Sequence, residues 1–138
     1  LGENPLGNIG KQNMTIMIVD DHIDIRRILR QIISVGHTGE LQFIECESGE
    51  DAIQLYKTEQ PDLVLMDIEL KNMNGLEAAA SILNRNKDAK VLIVSSYNLS
   101  GYRRKAAKIG AYGFLSKDHL FEVKSYLNKI ESTTTGRA

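Results

Sequence analysis

Leu63-Val64-Leu65-Met66-Asp67 is a run of four apolar residues closed by a carboxylate. The run is too short for a helix and lacks the alternation of a half-exposed strand. It therefore reads as a strand covered on both faces. An aspartate ending such a strand has no packing reason to be there. Working outward, comparable apolar runs occur at residues 15–19, 41–46, 91–94 and 113–116, and helix-period segments lie between them.

After the first strand, Ile25, Ile28, Leu29, Ile32 and Ile33 fall at i, i+3, i+4, i+7 and i+8, the spacing of one buried stripe. Ser48 with Asp51 opens the second helix as a capping box, and Asn74 with Glu77 opens the third. The fourth is expected over residues 100–109, stopped by Gly110 in a left-handed cap. The last shows Val123, Tyr126, Leu127 and Ile130 on one face. Five strands alternating with five helices predict an α/β fold, a doubly wound five-stranded parallel sheet with right-handed crossovers. One domain over residues 14–131 accounts for this pattern. Residues 1–13, rich in Gly and Asn, read as a flexible lead or cloning remnant, and the polar residues 132–138 as a tail or the start of a linker.

Ligands of doubly wound sheets sit beyond the carboxyl ends of the strands. Those ends carry Asp20-Asp21, Asp67, Ser95 and Lys117. Crowded carboxylates repel unless a cation neutralises them, and an all-oxygen set suits Mg²⁺ (or Mn²⁺). Zinc is not expected, because no Cys/His pair has ligand spacing. With a cation present, Asp67 can attack a phosphoryl group as nucleophile. Lys117 can then pair with the carboxylate and the phosphoryl oxygens, and Ser95 can donate its hydroxyl to a third oxygen.

Composition narrows the partners. Across 138 residues the 17 Lys+Arg and 18 Asp+Glu give a net charge of -1, so bulk charge would not steer the chain to nucleic acid. No apolar stretch approaches the roughly 20 residues of a membrane span. The single cysteine, Cys46, excludes an internal disulfide and reads as a buried small residue of a cytoplasmic protein.

Three separated motifs, Ile18-Val19-Asp20-Asp21-His22, Leu65-Met66-Asp67-Ile68 continuing to Met73-Asn74-Gly75-Leu76-Glu77-Ala78, and Gly113-Phe114-Leu115-Ser116-Lys117-Asp118, resemble the receiver domain of bacterial two-component response regulators. The last is closest to the class carrying LuxR-type helix-turn-helix output domains. The resemblance implies flavodoxin-like topology with strand order 2-1-3-4-5. It implies that Asp67 accepts phosphate from a sensor histidine kinase or phosphotransfer protein. Asp21, Asp67 and the Glu69 backbone carbonyl would hold Mg²⁺, with Asp20 acting through water. Ser95 and Phe114 occupy its two switch positions, coupled to a surface of helix 4, strand 5 and helix 5 through which a homodimer could form. Lys71 and Asp118 stand where proline is common, which leaves the peptide geometry after Lys117 open. Glu69 and Tyr97 flank the site where the family tunes dephosphorylation.

Other residues are not promoted. His22 beside the acidic pair reads as a helix-entry residue, and His37 and His119 as surface residues. The basic residues Arg103, Arg104, Lys105 and Lys108 read as a solvated helix face, without direct nucleic-acid binding. The expected role is a regulatory phospho-acceptor and not an enzyme. The alternative is a phosphatase or phosphotransferase acting on an external substrate, which would want an aspartate where Glu69 stands.

Overall fold

The strand and helix signals resolve in a computed structural model that describes residues 13–97 and 99–136, with the backbone alone from residue 132. Of the expected lead and tail, residues 1–12 and 137–138 lie outside the described residues. The order is β1 (Met14–Val19), α1 (Ile23–Ser34), β2 (Leu41–Cys46), α2 (Gly49–Glu59), β3 (Leu63–Asp67), α3 (Gly75–Arg85), β4 (Val91–Ser95), α4 (Ser100–Ile109), β5 (Gly113–Ser116), a 3-10 segment (Lys117–Glu122) and α5 (Val123–Gly136). All strand pairs are parallel, in the order β2-β1-β3-β4-β5. The order reverses at β1 and β3, which opens a crevice between their carboxyl ends.

Strand alternation divides the core into two layers. Met17, Val19, Val64, Met66, Val91 and Ile93 face α2, α3 and α4, where Tyr56, Ala79, Ile82 and Ala106 cover them. Ile16, Ile18, Leu63, Leu65, Leu92 and Val94 face the other way, onto Leu29 and Ile33 of α1 and Val123, Leu127 and Ile130 of α5. Every residue of β3 and β4 is buried, including the terminal Asp67 and Ser95. Those polar groups therefore sit on rigid strand ends, one residue further into the sheet than the apolar runs indicate.

The caps form where the sequence places them. Ser48 accepts from the Asp51 amide at 3.1 Å, and Asn74 Oδ1 accepts from the Leu76 amide at 2.7 Å. Gly110 closes α4 at φ 91°. α4 is the thinly anchored helix, burying Ala106 alone and opening at Leu99 without a side-chain cap.

Four expectations need correction or extension. Ile28 is 40% exposed, because the face of α1 on the sheet runs through Arg26, Leu29 and Ile33 and position 28 points away from it. His37 is not a surface residue: its ring is 5% exposed and lies 3.2 Å from Glu131 of α5. Asn13, set outside the domain by the sequence, accepts the Glu40 amide at 2.9 Å. His119 is exposed as expected, and Cys46 is buried, its thiol pushed up to about 11 chiefly by that burial. Among the described residues no peptide is cis, so the bond after Lys117 is trans. α5 runs on to Gly136, continuing the helix into the polar tail.

Candidate functional site

Sheet geometry alone brings the ends of β1, β3 and β4 together, and the start of the 3-10 segment adds Lys117. Asp20, Asp21, His22 and Asp67 each offer a ligand atom, all within 4.8 Å of one another. Asp20 and Asp67 are 2% and 1% exposed, so their charges are held away from water.

Each carboxylate is used differently. Asp20 Oδ1 accepts from the His22 amide at 2.8 Å and faces His22 Nδ1 at 3.1 Å, while Oδ2 lies 3.0 Å from Lys117 Nζ. Both of its oxygens are occupied. Asp21 Oδ1 is 3.0 Å from the same His22 nitrogen, which hydrogen-bonds Asp20 instead, and is left buried without a hydrogen bond. Asp67 Oδ1 accepts from the Glu69 amide at 3.2 Å. Its Oδ2 lies 3.3 Å from Lys117 Nζ, close enough for Coulombic pairing but out of hydrogen-bond alignment.

Burial pushes Asp67 up to about 7, Asp20's charge adds to the rise, and Lys117 opposes it. For Lys117, burial favours the neutral form, but the attraction of the Asp20 and Asp67 carboxylates outweighs burial and holds it above its usual value. A carboxyl whose folded value exceeds its unfolded value stabilises the fold at low pH and loses that contribution as pH rises through the folded value. Here the window runs from about 4 to about 7. In chelator-treated buffer Asp67→Asn, with no proton to lose, is expected to melt above wild type at pH 8 and to lose that advantage by pH 5. Equal melting temperatures at pH 8 would show that ionised Asp67 costs the fold nothing.

Ser95 is fully buried; its Oγ donates to Glu69 Oε2 at 2.9 Å and accepts the Tyr97 amide at 3.0 Å. Tyr97 itself is 56% exposed. Phe114 lies further along the sheet, its ring under the Arg103 guanidinium at 4.6 Å. Beside it, between α4 and β5, is a cavity of about 150 Å³ lined by Arg103, Ala106, Ala107, Ala111 and Gly113.

Two supports escaped the sequence reading. Arg26, buried on α1, donates through Nε to Glu45 Oε1 at 2.7 Å and through Nη1 to the Asp20 carbonyl. The signal was present, since Arg26 continues the spacing of Leu29 and Ile33 toward the helix start. Gly75 is the other: its amide donates to the Ile68 carbonyl at 2.9 Å, laying the start of α3 against the backbone of Asp67 and Ile68.

Strand order 2-1-3-4-5 with a carboxylate cluster at the reversal defines the receiver class of signalling modules. The chain belongs to the response regulator receiver domain family, whose model matches residues 16–128, and is a module of two-component signal transduction. It is 40% identical over 104 residues to the transcriptional activator protein ExaE of Pseudomonas putida, a match covering 75% of this chain and 48% of that one. It thus spans about half the length of that curated relative. A two-component response regulator of the LuxR family from Aurantimonas sp. superposes with TM-score 0.79 and 28% identity, covering 88% of this chain and 87% of that one. The response regulator TrrA of Thermotoga maritima, solved in complex with Mg²⁺ and BeF, gives TM-score 0.72 and 31% identity, covering 85% and 98%.

Proposed function

We propose that Asp67 takes a phosphoryl group from the phosphohistidine of a sensor histidine kinase or phosphotransfer protein in the cytoplasm, and that the change is read on the α4, β5 and α5 surface. The observation that carries this reading is the bare Oδ2 of buried Asp67, set against the Lys117 ammonium in a pocket of carboxylates. Ile23, Tyr97 and Leu99, close in sequence to the site residues, are exposed and offer a docking protein apolar side chains. Among the described residues no helix is long and apolar enough to cross a membrane.

The donor set fits a hard divalent cation. Of the three aspartates, Asp21 and Asp67 each keep a buried oxygen without a hydrogen bond, whereas both Asp20 oxygens are engaged. That division favours Asp21 and Asp67 as direct ligands and Asp20 through water, and the family resemblance adds the Glu69 carbonyl. Bound Mg²⁺ (or Mn²⁺) would supply positive charge to the phosphoryl oxygens. Lys117 supplies a second charge from the protein itself, and the Ser95 hydroxyl a hydrogen bond. The cavity beside Phe114 leaves room for its ring to turn, and thinly anchored α4 is the element best able to follow. This same face is where a homodimer would form. An external-substrate hydrolase would want an aspartate as acid/base two residues after Asp67, where this chain has Glu69 with its Oε2 accepting the Ser95 hydroxyl.

Incubation with Mg²⁺ and acetyl phosphate is expected to give an acid-stable, base-labile phosphoryl adduct by intact mass, absent from Asp67→Asn. An equal adduct on Asp67→Asn, or none on wild type, would sink the proposal.

A further inference from the structure

We propose that the Glu69 side chain is an anionic brake on Ser95, holding the hydroxyl proton that a phosphorylated Asp67 needs; the inference rests on the phosphoryl-acceptor reading above. A serine hydroxyl has one proton. In this structure it goes to Glu69 Oε2 at 2.9 Å, and the oxygen accepts the Tyr97 amide at 3.0 Å. Ser95 is fully buried, so no solvent competes for the bond. A phosphoryl oxygen on Asp67 can gain that hydroxyl only if Glu69 gives it up.

The handover leaves Glu69 in a poor position. Its Oε1 is already buried without a hydrogen bond, so losing Ser95 would leave both oxygens of an anion bare beside a phosphoryl dianion. Glu69 is only half-buried, and its side chain is relieved by turning toward water. Activation therefore couples three events: phosphoryl arrival, Glu69 departure and Ser95 reorientation. The Tyr97 amide follows Ser95, and Tyr97 leads into α4, whose first turn has no side-chain cap. Through its backbone Glu69 also donates to Asp67 Oδ1. One residue thus touches the acceptor with its amide and the switch with its carboxylate. Glu69 is a positioning residue, acting through Ser95, and its effect is to keep the resting conformation favoured.

The test is a double-mutant cycle read by beryllofluoride titration at saturating Mg²⁺, with wild type, Glu69→Ala, Glu69→Gln, Ser95→Ala and the Glu69→Ala/Ser95→Ala pair. Glu69→Ala is expected to tighten beryllofluoride binding about tenfold, the scale of one charge-assisted hydrogen bond. Glu69→Gln removes the charge but keeps an acceptor for Ser95, and should gain less. In the Ser95→Ala background the Glu69→Ala gain should shrink to the contribution of charge alone. Equal gains in the two backgrounds, or no gain in either, would overturn the brake while leaving the acceptor role intact. A wild type that binds no beryllofluoride would take down both.

Discussion

Gly75→Ala is expected to lower stability by about 3 kcal/mol or more and to spoil the acidic pocket, from a position that offers it no side chain. A methyl group there would fall on the Asp67 carbonyl oxygen, and would lie 2.7 Å from the Asp67 carbonyl carbon and 2.9 Å from Ile68 Cα. These are backbone atoms of a buried strand end and cannot swing aside. Either α3 lifts, weakening the Gly75 amide bond to Ile68 and the Asn74 cap, or the end of β3 shifts and carries Asp67 with it. Gly101→Ala is the control, because nothing lies within 4 Å of the added carbon and α4 gains helix propensity of up to about 1 kcal/mol. Urea unfolding of the two variants should move in opposite directions. A Gly75→Ala protein as stable as wild type, with unchanged Mg²⁺ affinity, would mean the close approach is not needed.

Arg26→Ala comes second in size, at about 2–3 kcal/mol, together with roughly tenfold weaker Mg²⁺ binding. Arg26 serves the Asp20 carbonyl and Glu45 at once, and its removal strips the buried carbonyl of that donor. Glu45 keeps Arg30 at 2.7 Å and is partly solvated, which holds the loss below that of a fully buried pair. The Arg26 hydrogen bond holds the Glu45 carboxyl below its ordinary value, against burial, with Arg30 assisting. A lowered carboxyl adds stability above its unfolded value and loses it as pH falls through the folded one. The variant should therefore show a smaller stability loss on acidification below about pH 4.5. Arg26→Lys, a point charge without a fork, should recover only part of the effect. Mg²⁺ titration separates positioning from mere support: a destabilised variant with wild-type Mg²⁺ affinity would show that the arginine holds the helix and not the acidic loop.

The sheet and the convergence of Asp20, Asp21, Asp67, Ser95 and Lys117 were legible because both depend on local patterns. Buried parallel strands are continuous apolar runs, and topology then carries their ends to one edge. Ser48, Asn74 and Gly110 were readable for the same reason, since a cap involves residues only a few positions apart. What stayed hidden depends on partners far along the chain. Arg26 finds Glu45 across 19 residues, Ser95 finds Glu69 across 26, and His37 packs against Glu131 from the opposite end of the domain. A buried polar side chain is identified by its partner, and no spacing rule supplies partners across elements. Ile28 went wrong differently: the apolar spacing admitted two neighbouring faces of α1, and the arginine occupied the one on the sheet.

Cys46 bears on how this domain can be watched. It is the chain's single cysteine, enclosed at the end of β2 and almost wholly protonated at neutral pH. Thiol reagents attack the thiolate at accessible sites, so the native protein is close to silent toward maleimides and spin labels. A cysteine introduced at an exposed position of α4, such as Lys105, would then carry the probe alone, and its signal would report the position of that helix without background.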